Sequence, residues 1–286
     1  MTQRAEGERS ETEPSGILCD MTGQTGEGTF VTTGWKPSPQ VAVEAEQLAG
    51  RLGLPYVRRS VGLERLYART GARFALVVER TQRTLHMRGR RVALRFHGGM
   101  GLVRLRHALA GRPDGMLLAC DLRPGEVVID ATAGLCGDAL LAAHAVGPGG
   151  RVIAVEKSPL LAAVVAHGLA HTRLSPHAAD AARRRITLVT QDHLAYLAGC
   201  PDKSVDLVFF EPMFDAPAAR LEEFEILAAV ADPSPVREAA LREAARVARR
   251  RVVLQVHRDS DAVERLGLRP LPVGRSSVTR YGVLDL

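Results

Sequence analysis

Four short apolar runs, each ending in a carboxylate, organise the second half of the chain: VVID (127–130), RVIAVE (151–156), ITLVTQD (186–192) and VDLVFFE (205–211). A strand with one wet face alternates apolar and polar residues. A run that is apolar throughout belongs to a strand covered on both sides, as in a parallel sheet between helical layers. The intervening segments supply those layers: an alanine-rich stretch from Ala139 to Val146, LLAAVVAHGLAH (160–171), a short helix after Asp192 and a helix over roughly Pro235 to Ala248. Gly147-Pro148-Gly149-Gly150 turns the chain into the second run, and RRVVLQVH (250–257) adds a further strand. The pattern predicts an α/β fold, a Rossmann-like doubly wound sheet, over residues 113–286.

The front of the chain reads differently. Residues 1–28 are rich in Glu, Thr, Gly and Ser without apolar periodicity, which predicts a disordered tail. Phe30–Thr33 and Phe74–Val78 read as strands, and VAVEAEQLAGRLG as a helix with Val41, Ala45, Leu48 and Leu52 on one face and Gly53 as its stop. TLHMRGRRVALRF alternates around Arg88-Gly89-Arg90 as a hairpin does, and FHGGMG leads into a basic helix from Leu102 to about Ala110. Together they predict a small α/β domain over 29–112. Between Arg51 and Arg112 stand fifteen arginines, no Lys or Asp, and only Glu64 and Glu79, a local balance of +13; since the chain carries +6, the remainder carries −7. A basic front beside an acidic back suits a polyanionic partner, nucleic acid above all, although a solvated arginine-rich surface reads the same way.

Other classes are disfavoured. No apolar stretch approaches the eighteen residues of a membrane span, and the polar, acidic N-terminus is unlike a signal peptide. Cys19, Cys120, Cys136 and Cys200 are scattered, so neither a metal site nor a disulfide framework is expected, and a reducing cytoplasm is the default compartment.

In a doubly wound sheet, ligands lie beyond the carboxyl ends of the strands. After the first run comes Asp130-Ala131-Thr132-Ala133-Gly134-Leu135-Cys136-Gly137-Asp138, whose glycines let backbone approach a ligand and enter a helix. Thr132 replaces the first glycine of the dinucleotide fingerprint. Asp130 and Asp138 would repel a pyrophosphate but attract a sulfonium or ammonium, which favours S-adenosylmethionine over NAD. Glu156, about twenty residues beyond the glycines, suits ribose hydroxyls, with Lys157 beside it. Asp192, followed by His193, suits an exocyclic adenine amine or, equally, caps a helix. Glu211-Pro212-Met213-Phe214 sets an acceptor, a stiff turn and an aromatic ring together, as needed to hold and stack on a base whose amine must be oriented for attack.

These residues resemble a known family. DATAGLCGDA, VEKSPLLAAVVAHGLA, TQDHL and EPMF fall in the order and spacing of the class I S-adenosylmethionine-dependent methyltransferases. More narrowly they resemble the bacterial small-subunit rRNA guanine-N2 methyltransferases of the RsmJ type, over about Leu94 to Val256 and including HGGMGLVRLRH. The resemblance implies cofactor-loop residues at Gly137 and Asp138, a ribose-side pair at Glu156 and Lys157, an adenine-side pair at Asp192 and His193, and a catalytic acid at Glu211 where that family has aspartate. It implies S-adenosylmethionine as cofactor and RNA as partner, as rRNA or in a ribosomal particle, with guanine N2 as acceptor. His97, Arg104 and Arg106 are candidate substrate contacts. The segment APAARLEEFEIL is acidic where the family is expected to be lysine-rich. A methyltransferase for a small molecule or protein, and a non-catalytic RNA-binding relative, stand as alternatives; an NAD-dependent oxidoreductase lacks its fingerprint.

Overall fold

The computed structural model describes residues 28–212, 222–272, 274 and 277–286. The expected disordered tail, apart from residue 28, and Phe214 lie outside the described residues. The chain opens with β1 (Thr29–Thr33), α1 (Pro39–Leu52), α2 (Leu63–Thr70), β2 (Phe74–Val78), β3 (Arg83–Met87) and β4 (Ala93–Arg95). Ser38 caps α1 through its side chain, and Gly53 ends it in the left-handed conformation at φ +64°. β1 and β2 are parallel, while β2–β3 and β3–β4 are antiparallel, giving the sheet order β1-β2-β3-β4. The expected hairpin is the β3–β4 pair.

Next come α3 (Gly99–Leu109) and α4 (Gly115–Cys120), then β5 (Val127–Asp130), α5 (Gly137–Ala145), β6 (Arg151–Glu156), α6 (Pro159–His171), α7 (His177–Arg183), β7 (Ile186–Thr190), α8 (His193–Ala198) and β8 (Val205–Phe210). The described chain closes with α9 (Glu222–Val230), α10 (Glu238–Val247), β9 (Ala248–His257), α11 (Ala262–Arg265), β10 (Arg269–Pro270) and β11 (Thr279–Asp285). The large sheet has the order β10-β11-β9-β8-β5-β6-β7, parallel from β9 to β7, with β11 antiparallel to β9 and β10. From β5 the chain moves outward through β6 to β7, then crosses back to β8 on the other side. The switch point therefore lies between β5 and β8, at the ends carrying Asp130 and Glu211. None of the described helices is long and apolar enough to cross a membrane.

Both faces of the large sheet are covered, as the continuous apolar runs require. Leu207 and Phe209 of β8 join one buried cluster, Val208 and Phe210 the other. The first cluster continues through Leu105 and Phe96 into Leu76, Leu48 and Val31, so the two sheets share one core. Acidic α9 docks on the basic hairpin: Glu222 accepts from the backbone N–H groups of Arg91 (3.0 Å) and Val92 (3.3 Å), and Glu225 pairs with Arg90 at 2.6 Å. That contact gives the acidic segment after the fourth strand a structural use.

The basic helix begins at Gly99, three residues before the expected Leu102, because the glycine-rich FHGGMG segment is partly helical. Its first turn crosses α5 at closest approach. A Cβ added to Gly101 would sit 2.6 Å from the carbonyl oxygen of Gly137 and 2.7 Å from its Cα. Both obstacles are backbone, so Gly101→Ala should destabilise the fold by about 1–3 kcal/mol, the usual overpacking range. A lower denaturant midpoint at unchanged slope would show it; an unchanged midpoint would contradict the crossing.

Candidate active site

The turn after β5 is built around Asp130. Its carboxyl is buried, with Oδ1 accepting from Thr132 N–H at 3.3 Å and Oδ2 without a partner among the described residues. Cys136 takes the left-handed conformation (φ +59°), which turns the chain into α5 at Gly137. Asp138, in the first turn of α5, accepts from Arg104 Nη1 at 2.5 Å. Arg104 also holds Asp114 with two hydrogen bonds, at 2.8 and 2.9 Å.

The end of β8 closes onto this turn. Glu211 N–H donates to the Thr132 hydroxyl at 2.6 Å. The Glu211 side chain accepts from the Gln255 amide of β9 and lies against the Asp138 carboxyl, which it meets through a shared proton. The extra methylene of glutamate over aspartate thus spans to partners on a neighbouring strand and helix. On the other side, Glu156 accepts from Gly134 N–H (3.0 Å) and Ser158 N–H (2.7 Å). Lys157 points away from it and bridges Asp232 (2.8 Å) and Asp192 (3.3 Å). Asp192 also caps α8 through Leu194 and Ala195 N–H groups, and the His193 ring meets Phe210 edge to face at 5.7 Å.

A cleft opens above these strand ends. Of the residues expected from sequence, Thr132, Gly134, Glu156, Lys157, His193, Glu211 and Pro212 line it. Asp130, Gly137, Asp138 and Asp192 do not line it; Asp130 meets it through Thr132, Asp138 through Glu211 and Asp192 through Lys157. The cleft also takes Asp232 and Ser234 from the loop between α9 and α10, which sequence reasoning missed. A proline-rich loop carries no strand-end signal; the only cue is the run Asp232-Pro233-Ser234-Pro235. Gln255 and Asp114 were missed as well, and they act only through Glu211 and Arg104.

The three expected substrate contacts do not line the cleft. Arg104 is committed to Asp114 and Asp138. Arg106 donates to Ser175 C=O at 3.0 Å. His97 accepts from Gly99 N–H through Nδ1, so Nε2 carries the proton toward Glu223 at 3.0 Å and helps dock α9.

Residues 60–283 match the family model described as "Putative SAM-dependent methyltransferase". The chain belongs to this SAM-dependent methyltransferase family. It is 32% identical over 256 residues to the uncharacterized protein YpiP of Bacillus subtilis (strain 168), covering 90% of this chain and 99% of that one. Ribosomal RNA small subunit methyltransferase J of Cellvibrio japonicus is 34% identical over 151 residues, 49% of this chain and 56% of that protein. The namesake from Laribacter hongkongensis is 40% identical over 105 residues, 37% and 36% of the two chains. The chain thus matches about a third to just over half of those two methyltransferases. The crystal structure of the SAM-dependent methyltransferase NGO1261 from Neisseria gonorrhoeae shares the fold, with a TM-score of 0.59 at 20% identity over 89% of this chain and 95% of that one.

This methyltransferase uses S-adenosylmethionine, and the residues beneath its cleft fit a ligand bearing sulfonium and ammonium charges. Burial, then the Asp138 charge, pushes Asp130 up to about 8. Burial, with the Asp232 charge adding to it, outweighs the backbone donors of Glu156 and raises it to about 7. Burial and Asp138 raise Glu211 well above the carboxylate range. An added positive charge relieves all three.

The same shifts set a stability slope. Unfolded, Asp130 and Glu156 titrate at roughly 4, so the folded state holds more protons, and the stability this gives is lost as pH rises through about 7 and 8. Without ligand, the denaturant midpoint should fall between pH 6.5 and 8.5, above the range in which the buried histidine His167, lowered to about 4, titrates. Asp130→Asn should flatten that slope; an equal slope in the variant would place the strain elsewhere.

Proposed function

We propose that this methyltransferase acts on an exocyclic amine of an unpaired nucleobase in RNA, with guanine N2 of small-subunit rRNA as the acceptor. The observation that carries the reading is that Glu211-Pro212, the acceptor-side pair, and Glu156 with His193, the cofactor-side pair, line one cleft. The local similarity to the two ribosomal RNA small subunit methyltransferases J supports the substrate class. So does the arginine-rich front, where Arg58, Arg65, Arg69 and Arg80 are exposed and carry no ion pair among the described residues.

S-adenosylmethionine supplies an electrophilic methyl group. In this reading Thr132, Gly134 and Glu156 hold its amino-acid and ribose portions, and Asp192 with His193 borders the adenine. Thr132 couples the two sides, since its hydroxyl takes the Glu211 backbone N–H while its own N–H bonds Asp130. The nitrogen lone pair of an aromatic exocyclic amine is delocalised into the ring. Glu211, accepting an N–H, orients that nitrogen, and after transfer the nitrogen sheds one proton. Gln255 and Asp138 fix the Glu211 carboxyl, and proximity supplies most of the remaining acceleration. Phe214, outside the described residues, is proposed to stack on the base. Duplex RNA hides these atoms, so the target is unpaired or flipped out.

Mass spectrometry of modified nucleosides from rRNA of cells with and without the gene tests the substrate. Loss of N2-methylguanosine is expected, and an unchanged nucleoside profile would overturn the rRNA assignment. Glu211→Asp tests the acid. Shortening withdraws the carboxyl from Gln255 and Asp138 by an ångström or more, so kcat should fall about a hundredfold. A rise in kcat would mean that the network does not position the acid.

A further inference from the structure

The small sheet has its own switch point. After β1 the chain passes through α1 and lays residues 55–57 along one side of β1: Val31 N–H donates to Pro55 C=O at 2.9 Å, and Val57 N–H to Val31 C=O at 2.8 Å. It then passes through α2 and lays β2 along the other side, also parallel. The loops leaving β1 and β2 therefore frame a crevice at their carboxyl ends, where parallel α/β sheets place ligands. Gly34, Trp35, Lys36, Pro37, Glu79 and Arg80 are among its walls.

Trp35 is the only tryptophan in the chain, and it is 59% exposed. A single exposed ring is ordinary by itself; its setting is what distinguishes this one. The Arg59 guanidinium lies 5.7 Å from the ring centroid and donates to Thr33 C=O at 3.4 Å, which fixes the ring beside the strand end. Lys36 and Arg80 are exposed and make no ion pair among the described residues. Glu79, the one acid of the crevice, is turned to Gln82 at 2.6 Å and packs against Gly34. The ring, its cation and Lys36 precede residue 60, outside the segment matched by the family model.

A fixed, exposed aromatic ring flanked by cations without ion pairs among the described residues, beside the arginine-rich stretch 51–112, is a stacking platform for a single-stranded polyanion. We propose that this crevice is an RNA contact separate from the methyl-transfer cleft: Trp35 stacks on one unpaired nucleobase while Lys36 and Arg80 hold the flanking phosphates. The assignment rests on the RNA reading above and deepens it, because it gives the front of the chain a residue-level role in gripping the strand next to the target.

The lone tryptophan makes the test direct, since all tryptophan emission comes from this site. A ten-residue oligouridylate should quench Trp35 saturably, over the concentration range in which anisotropy of the fluorescein-labelled oligonucleotide reports binding. A ten-base-pair RNA duplex, whose bases are already stacked, and free uridine monophosphate should quench little. Trp35→Ala should weaken binding of the labelled strand about tenfold, the effect of losing one base–aromatic stack. Trp35→Phe should keep most of the affinity, and Arg80→Glu should weaken binding and shallow its salt dependence. Tight binding with unchanged emission, and with Trp35→Ala equal to the parent, would overturn the crevice while leaving the RNA reading intact. Failure of the parent protein to bind any RNA would overturn both. Emission that shifts with protein concentration alone would assign the ring to a second copy of the chain and overturn the proposal.

Discussion

Carboxylates gathered without enough cations at the switch point of the large sheet are the constraint on which the site depends. Asp130, Asp138, Glu156 and Glu211 converge where β5, β6 and β8 end, and Arg104 is the cation held against them by hydrogen bonds. Burying like charges in one place is unfavourable, so the free protein retains protons there that isolated carboxylates would release. A cofactor bearing a sulfonium answers that arrangement, whereas a pyrophosphate would aggravate it.

The rest of the fold supports those acids. Gly101 lets α3 approach α5 closely enough for Arg104 to clamp Asp138 and Asp114 together. Thr132 ties the turn after β5 to the end of β8, and Gln255 holds Glu211 from the next strand. Further out, α9 holds the basic hairpin through Glu222 and Glu225 and the loop after it through Glu223 and His97.

Much of this was legible in the sequence because it depends on local pattern. The continuous apolar runs located β5, β6, β7 and β8 to within two residues, and their terminal acids marked the cleft. Side chains that act through others were not legible. Arg104 reads as one more arginine of a basic helix, yet it faces inward because Asp114 and Asp138 meet it from α4 and α5. His97 reads as a loop histidine near substrate, yet Gly99 and Glu223 fix both of its nitrogens. Asp232 and Ser234 reach the cleft from a loop whose course is set by how α9 and α10 pack, and no periodicity records that. β11 carries no such signal because its antiparallel insertion between β9 and β10 depends on the sheet already present, with Tyr281 buried within it.

The site is charge-tuned to a cationic cofactor, and calorimetry in buffers of differing ionisation enthalpy reads that tuning as proton release. At pH 7.5, binding of S-adenosylmethionine should release more protons than binding of S-adenosylhomocysteine, which has the same amino-acid and nucleoside groups but an uncharged sulfur. Equal proton release by the two would mean that the buried carboxyls do not sense the sulfonium charge.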